Sequence, residues 1–188
     1  SCVGCGERRY YPEEIQEAIS KLLNSEDENK DFEDLDTPMF ETKDIDELIN
    51  HINSAGNDCI PLILAHHNLL TQKRPRIGVY TELINSGYMR ERLQSTNRPV
   101  LYLHGHLHDD PIEIIRSAKY ENSKIICICA PLLFPNTKFE SIKFGFNKIK
   151  LVYSHDKTPI GCEITNYMFE EGNPEKRKFR IRFWDPPR

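Results

Sequence analysis

The sequence predicts an α/β domain, and three observations carry that reading. Two short apolar runs, residues 60–65 and 100–103, look like strands, and each delivers a histidine cluster at its end. A stretch with helical spacing lies between them. After His108 the texture changes to β-branched and aromatic runs separated by turn formers. Strand, helix, strand is the order of a parallel pair with its crossover connection. Runs that are apolar at successive positions suit parallel strands buried on both faces, and open α/β sheets place ligands beyond the carboxyl ends of such strands.

The elements follow in chain order. Tyr11-Pro12-Glu13-Glu14 opens a first helix, with proline early, acids in the first turn and Ile15, Ile19, Leu22 and Leu23 in one stripe. Residues 25–43 are acidic and almost free of aliphatics, which predicts a solvated loop or insertion. Two roles stand for it, a passive charged loop or a lid or partner-binding arm. Asp44 is expected to cap a second helix with the stripe Ile45, Leu48, Ile49 and Ile52, and Gly56 to stop it. Between the histidine clusters, Lys73, Arg74 and Arg76 surround Pro75 in a polar stretch that leaves the histidine edge. Guanidinium forks there would contact substrate phosphate; ordinary solvated charge is the other reading. Leu83, Ile84, Tyr88 and Leu93 then predict a helix over residues 80–95, despite Gly87.

Strands are expected at 112–115, 125–129, 147–153, 161–168 and 179–184, closing the domain as an antiparallel or mixed sheet. The last alternates, with Phe179, Ile181 and Phe183 on one side and Lys178, Arg180 and Arg182 on the other. With Lys176 and Arg177 this makes a basic edge. Charge that protects an edge strand from aggregation is the preferred reading over a nucleic-acid contact, and Trp184 reads as a core or interface residue.

At 188 residues and 38% hydrophobic, the chain buries one core and reads as one domain. A formal charge of -4 and pI near 6.0 exclude an overall basic field for nucleic acid, and no apolar run reaches membrane-helix length. No signal peptide is visible. Six cysteines lack the spacing of a secreted disulfide scaffold, so a reducing cytoplasm is expected; Cys2 and Cys5 read as incidental rather than as a zinc knuckle.

The chemistry concentrates in Ala65-His66-His67-Asn68 and Leu103-His104-Gly105-His106-Leu107-His108, which hold five of the seven histidines. Neutral imidazole is the commonest metal ligand. His51, on a helix, and His155, in a turn, read as solvent histidines.

The order apolar strand, His-His, forty residues, apolar strand, Gly-His-x-His resembles the last two motifs of the calcineurin-like metallophosphoesterases. Ala130-Pro131, Gly145-Phe146-Asn147 and the strand after them resemble that family's closing strands, and Ser1-Cys2 with the helix near Pro12 is similar to the segment after its Gly-Asn-His motif. The resemblance implies the C-terminal part of a four-layer α/β/β/α sandwich with mixed sheets, spanning residues 1–188. It implies two divalent ions, of manganese, zinc, iron or magnesium, and hydrolysis of a phosphoester, with a phosphodiester, nucleotide or nucleic acid favoured. His66 and His106 would bind one ion and His108 the other. His67 would stand at the catalytic position, touching substrate or supporting a ligand from behind, Arg74 and Arg76 would contact substrate, and His104 would pack. Gly105 would let the backbone turn sharply between His104 and His106.

The family's Asp-x-His, Gly-Asp and Gly-Asn-His motifs do not occur in these residues, and Gly56-Asn57-Asp58 lacks the histidine. The expectation is therefore a chain that supplies the C-terminal ligands, is inactive alone, and takes the N-terminal half of the domain in cis or from another chain. The alternative is a non-catalytic interaction module or one half of a split enzyme. No membrane partner is expected.

Overall fold

Residues 3–4, 38–70, 83, 85–105, 112–131, 143–170 and 173–184 are described by the structure, a computed structural model. The helix expected near Pro12, the basic residues Lys73, Arg74 and Arg76, and both His106 and His108 lie outside them, as does most of segment 25–43. The end of that segment is regular structure rather than loop. Strand β1 (Val3–Gly4) pairs antiparallel with β2 (Pro38–Met39), and Met39 is buried.

Helix α1 (Thr42–Ser54) forms on the predicted stripe, burying Ile45, Ile49 and Ile52. Asp44 is not its cap. Glu41 holds that position without a side-chain capping bond, and Asp44 lies inside the first turn, where a carboxylate suits the positive end of the helix dipole. At the other end, Arg98 donates to the carbonyls of Ile52, Ala55, Gly56 and Cys59 at 2.8–3.0 Å. One guanidinium thus gathers acceptors that a helix terminus leaves open and fixes the turn into the next strand.

That strand is β3 (Leu62–Leu64). Helix α2 (Ser86–Ser95) is shorter than the expected 80–95: Leu83 is buried ahead of it, and Met89 rather than Tyr88 accompanies Leu93 in the core. Asn85, at its N-cap position, makes no cap bond. Its amide instead donates to Phe40 O (2.6 Å) and accepts from Phe40 N (3.2 Å), as a strand neighbour would. Strands β4 (Pro99–His104), β5 (Ile112–Arg116) and β6 (Lys124–Cys129) complete a sheet of order β3-β4-β6-β5, in which β3, β4 and β6 are parallel and β5 is antiparallel to β6. The expectation of two doubly buried strands holds for β4 but not for β3, and β6 is buried along its whole length as well. Strand β3 is an edge of this sheet among the described residues, and Leu62 and Leu64 are 51% and 74% exposed.

Strands β7 (Lys143–Tyr153), β8 (Pro159–Glu170) and β9 (Asn173–Arg182) form an antiparallel meander. Val100, Tyr102, Ile125 and Cys127 point from the first sheet toward Ile45, Ile49, Met89 and Leu93 of the helices. Leu101, Ile126 and Ile128 point the other way, onto Cys162, Ile164 and Phe183. Helices, mixed sheet and antiparallel sheet are therefore stacked in that order around two apolar seams. The architecture is mixed α/β with two packed sheets besides the short β1–β2 pair, and no helix among the described residues is long and apolar enough to cross a membrane.

Candidate metal centre

Parallel register brings the two histidine clusters together. Leu62 pairs with Leu101 and Leu64 with Leu103, and the ladder runs on past β3: Ala65 N donates to Leu103 O (2.9 Å) and Gly105 N to His66 O (3.1 Å). On the other flank of β4, Ala130 N donates to His104 O (2.6 Å). The carboxyl ends of β3, β4 and β6 thus meet at one edge, where a cleft of about 520 Å³ opens between the sheets. His66, His104, Gly105, Ala130 and Pro131 line it from the first sheet, and Gly145, Phe146, Asn147 and Ile149 from the second.

His66 is exposed at this edge, with its ring edge-on to that of His67 (87° between planes, centroids 4.7 Å apart). His67 is 9% exposed and is not among the residues lining the cleft; its carbonyl accepts from the buried Tyr102 hydroxyl at 2.8 Å. Tyr102 therefore sets the backbone beneath the His-His pair from the helix side. His104 is buried, as expected for a packed residue, and its Nδ1 donates to Gly105 O at 3.1 Å. Burial pushes its pKa below the ordinary 6.5, against the smaller opposing effect of that hydrogen bond, because a charged imidazolium is poorly solvated there. His51 and His155 are exposed.

The turn expected between His104 and His106 runs outside the described residues, but at Gly105 itself nothing requires a glycine. Its backbone is not left-handed, and an added Cβ would lie 3.8 Å from His66 O and 3.9 Å from His66 Nδ1, which is ordinary contact. Gly145 is the glycine that the cleft requires, since a Cβ there would collide with the Tyr167 carbonyl and come within 2.9 Å of Met168 Sδ.

Two residues of the edge were given no site role from the sequence, although Asn147 belongs to the Gly145-Phe146-Asn147 run. Asn147 Nδ2 donates to Cys129 O (2.6 Å), and Asn147 Oδ1 accepts from Asn166 Nδ2 (2.9 Å). These bonds tie the antiparallel sheet to the end of β6, next to Ala130. Asparagine is depleted from strands, so two of them at matched positions of neighbouring strand-like runs were the available signal.

Of the three expected ligands the structure describes His66, an exposed imidazole at a strand end; His106 and His108 lie outside the described residues. Asn68, two residues beyond His66, has a buried Oδ1 with no hydrogen-bond partner among the described residues, and it is not one of the residues lining the cleft. Within those residues no three His, Cys, Asp or Glu side chains converge to hold a metal. No family model matches the chain, and no curated protein matches it.

Proposed function

We propose that the chain belongs with the calcineurin-like metallophosphoesterases, and that it supplies His66, His106 and His108 to a two-metal centre that hydrolyses a phosphoester. The observation that carries this reading is the pairing of the His66 and His104–Gly105 segments at the carboxyl ends of adjacent parallel strands, opening into the cleft. The stacking of helices, mixed sheet and antiparallel sheet supports it as an α/β/β arrangement, in which the outer face of the antiparallel sheet is open among the described residues rather than covered by the second helical layer that the resemblance implies.

In this reading His66 and His106 share one ion and His108 holds the other. Such a pair would supply Lewis acidity, making a water more acidic and offsetting charge on a phosphoryl group. The side chains of this chain do the rest. His67, edge-on to His66, orients that imidazole from behind, and the Tyr102 hydroxyl holds the backbone of the pair. His104 stays neutral and packed, so it adds no charge to repel a cation. Arg74 and Arg76, which lie outside the described residues, would be the candidates for contact with phosphate oxygens. The Asp-x-His, Gly-Asp and Gly-Asn-His ligands come from residues outside this sequence.

The test is hydrolysis of bis-p-nitrophenyl phosphate with added manganese, by these 188 residues alone and by the same residues joined to a segment carrying those three motifs. Turnover only in the joined form, lost on chelation and in His106→Ala, is the expected result. Robust chelator-sensitive turnover by the 188 residues alone contradicts the half-site.

A further inference from the structure

We propose that the outer face of the antiparallel sheet is a binding platform for single-stranded nucleic acid. The inner face of this sheet is spent on the core through Ile149, Leu151, Cys162, Ile164, Phe179 and Ile181. Strand alternation therefore turns Lys148 and Lys150 of β7, and Lys176, Lys178, Arg180 and Arg182 of β9, to the opposite side, where all are exposed. Among the described residues Glu163 is the one carboxylate on that face, and it is engaged by Arg180 at 2.9 Å. The chain as a whole carries -4, so its overall field repels a polyanion, and attraction must come from this local patch.

At one end of the same face the side chains are aromatic. Phe146 stacks on Tyr167 with centroids 4.8 Å apart, and Lys176 Nζ sits 5.2 Å from the Tyr167 ring on the next strand. Phe144 and Phe169 form a second stack at 5.2 Å. Tyr167 is thus engaged by both neighbours, whereas Phe146, on the outermost strand, is 47% exposed. Edge protection explains lysines on the two outer strands; it does not explain an exposed phenylalanine continuing their row. A sheet face with an exposed aromatic ring beside a band of cations has the chemistry that stacks bases and neutralises phosphates, and it suits single strands because paired bases hide their faces.

Phe146 belongs to the stretch of β7 that borders the histidine cleft, although its ring is on the opposite face, so delivery of a bound strand to that centre is a separate matter. Delivery to that centre rests on the phosphoesterase reading. Binding does not, and it is measured without metal.

The experiment is fluorescence anisotropy of a labelled oligo(dT) of about 15 nucleotides, within the range such platforms cover, in EDTA. Affinity should fall with salt, and Lys148→Glu/Lys178→Glu should lower the slope of log K against log salt by about 1.4, at about 0.7 per phosphate contact. Phe146→Ala should weaken binding about tenfold, as loss of one stacked base does, with the circular dichroism spectrum retained. Lys43→Glu, exposed on α1, should change neither quantity. Absence of binding, equal affinity for a duplex or for heparin, unchanged binding in the face variants, or an equal loss in Lys43→Glu each overturn the proposal. Loss of hydrolysis with binding intact bears only on the metal centre.

Discussion

The amide of Gly105 donates to the carbonyl of His66 across 3.1 Å, joining two histidine segments that lie far apart in sequence. This is a main-chain bond, so it depends on the register of β3 against β4 and not on the glycine's lack of a side chain. Gly105→Ala should therefore be tolerated, with a melting temperature near that of the parent, since its Cβ meets nothing closer than 3.8 Å. Gly105→Pro removes the donor. It should cost about 1 kcal/mol or more, or roughly 2–4 °C in a thermal melt of a chain this size.

Asn147 and Asn166 tie the second sheet to this edge. Asn166→Leu leaves Asn147 Oδ1 without its donor and should destabilise by about 1–3 kcal/mol in urea unfolding. Asn147→Leu removes the bonds to both Cys129 O and Asn166 and should cost more. Equal or smaller loss in Asn147→Leu would mean that the link to β6 carries no free energy.

Arg98 collects four carbonyls around the end of α1 and the turn before β3. Lysine keeps the charge but not the fork, so Arg98→Lys should lose about 2 kcal/mol, and Arg98→Ala more, read from the same unfolding curves.

The cysteines provide an independent probe of the two seams. Burial pushes the Cys127 thiol up to about 12, with the Glu113 charge adding to it, and burial alone pushes Cys162 up to about 11. With Cys2 and Cys5 replaced by serine, a thiol reagent at mildly alkaline pH should titrate Cys59 alone in the folded protein, and Cys127, Cys129 and Cys162 only after unfolding. The sign of the pH effect follows from the same shifts. Above the ordinary value of 9.0 the unfolded thiols ionise while the folded ones hold their protons, so stability falls as pH rises toward 11–12. Cys127→Ala should flatten that fall.

Periodicity made much of this fold legible. The Ile45, Ile49, Ile52 stripe gave the buried face of α1, and the alternation of Phe179, Ile181 and Phe183 gave the inner face of β9. What periodicity does not encode is which neighbour stands beside an element. Leu62 and Leu64 belong to an apolar run that reads as doubly buried, yet β3 is a sheet edge, and only the strand order reveals it. Side chains spent on distant backbone were equally hidden: Asp44 looked like a cap beside the true position Glu41, and Asn85 left its helix end to pair with Phe40. Of the candidate site, the meeting of the His66 and His104 segments followed from strand, helix, strand order. The Asn147–Asn166 link required the register of two strands that sequence alone does not set. The placements of His106, His108, Arg74 and Arg76 lie outside the described residues.

The central claim is that His66, His106 and His108 are metal ligands, and calorimetric titration with zinc tests it without requiring turnover. The 188-residue protein should bind zinc, and His66→Ala, His106→Ala and His108→Ala should each weaken that binding, while His155→Ala, in an exposed turn, leaves it unchanged. Zinc binding of parental strength in His66→Ala and His108→Ala, or a loss as large in His155→Ala, would contradict the assignment.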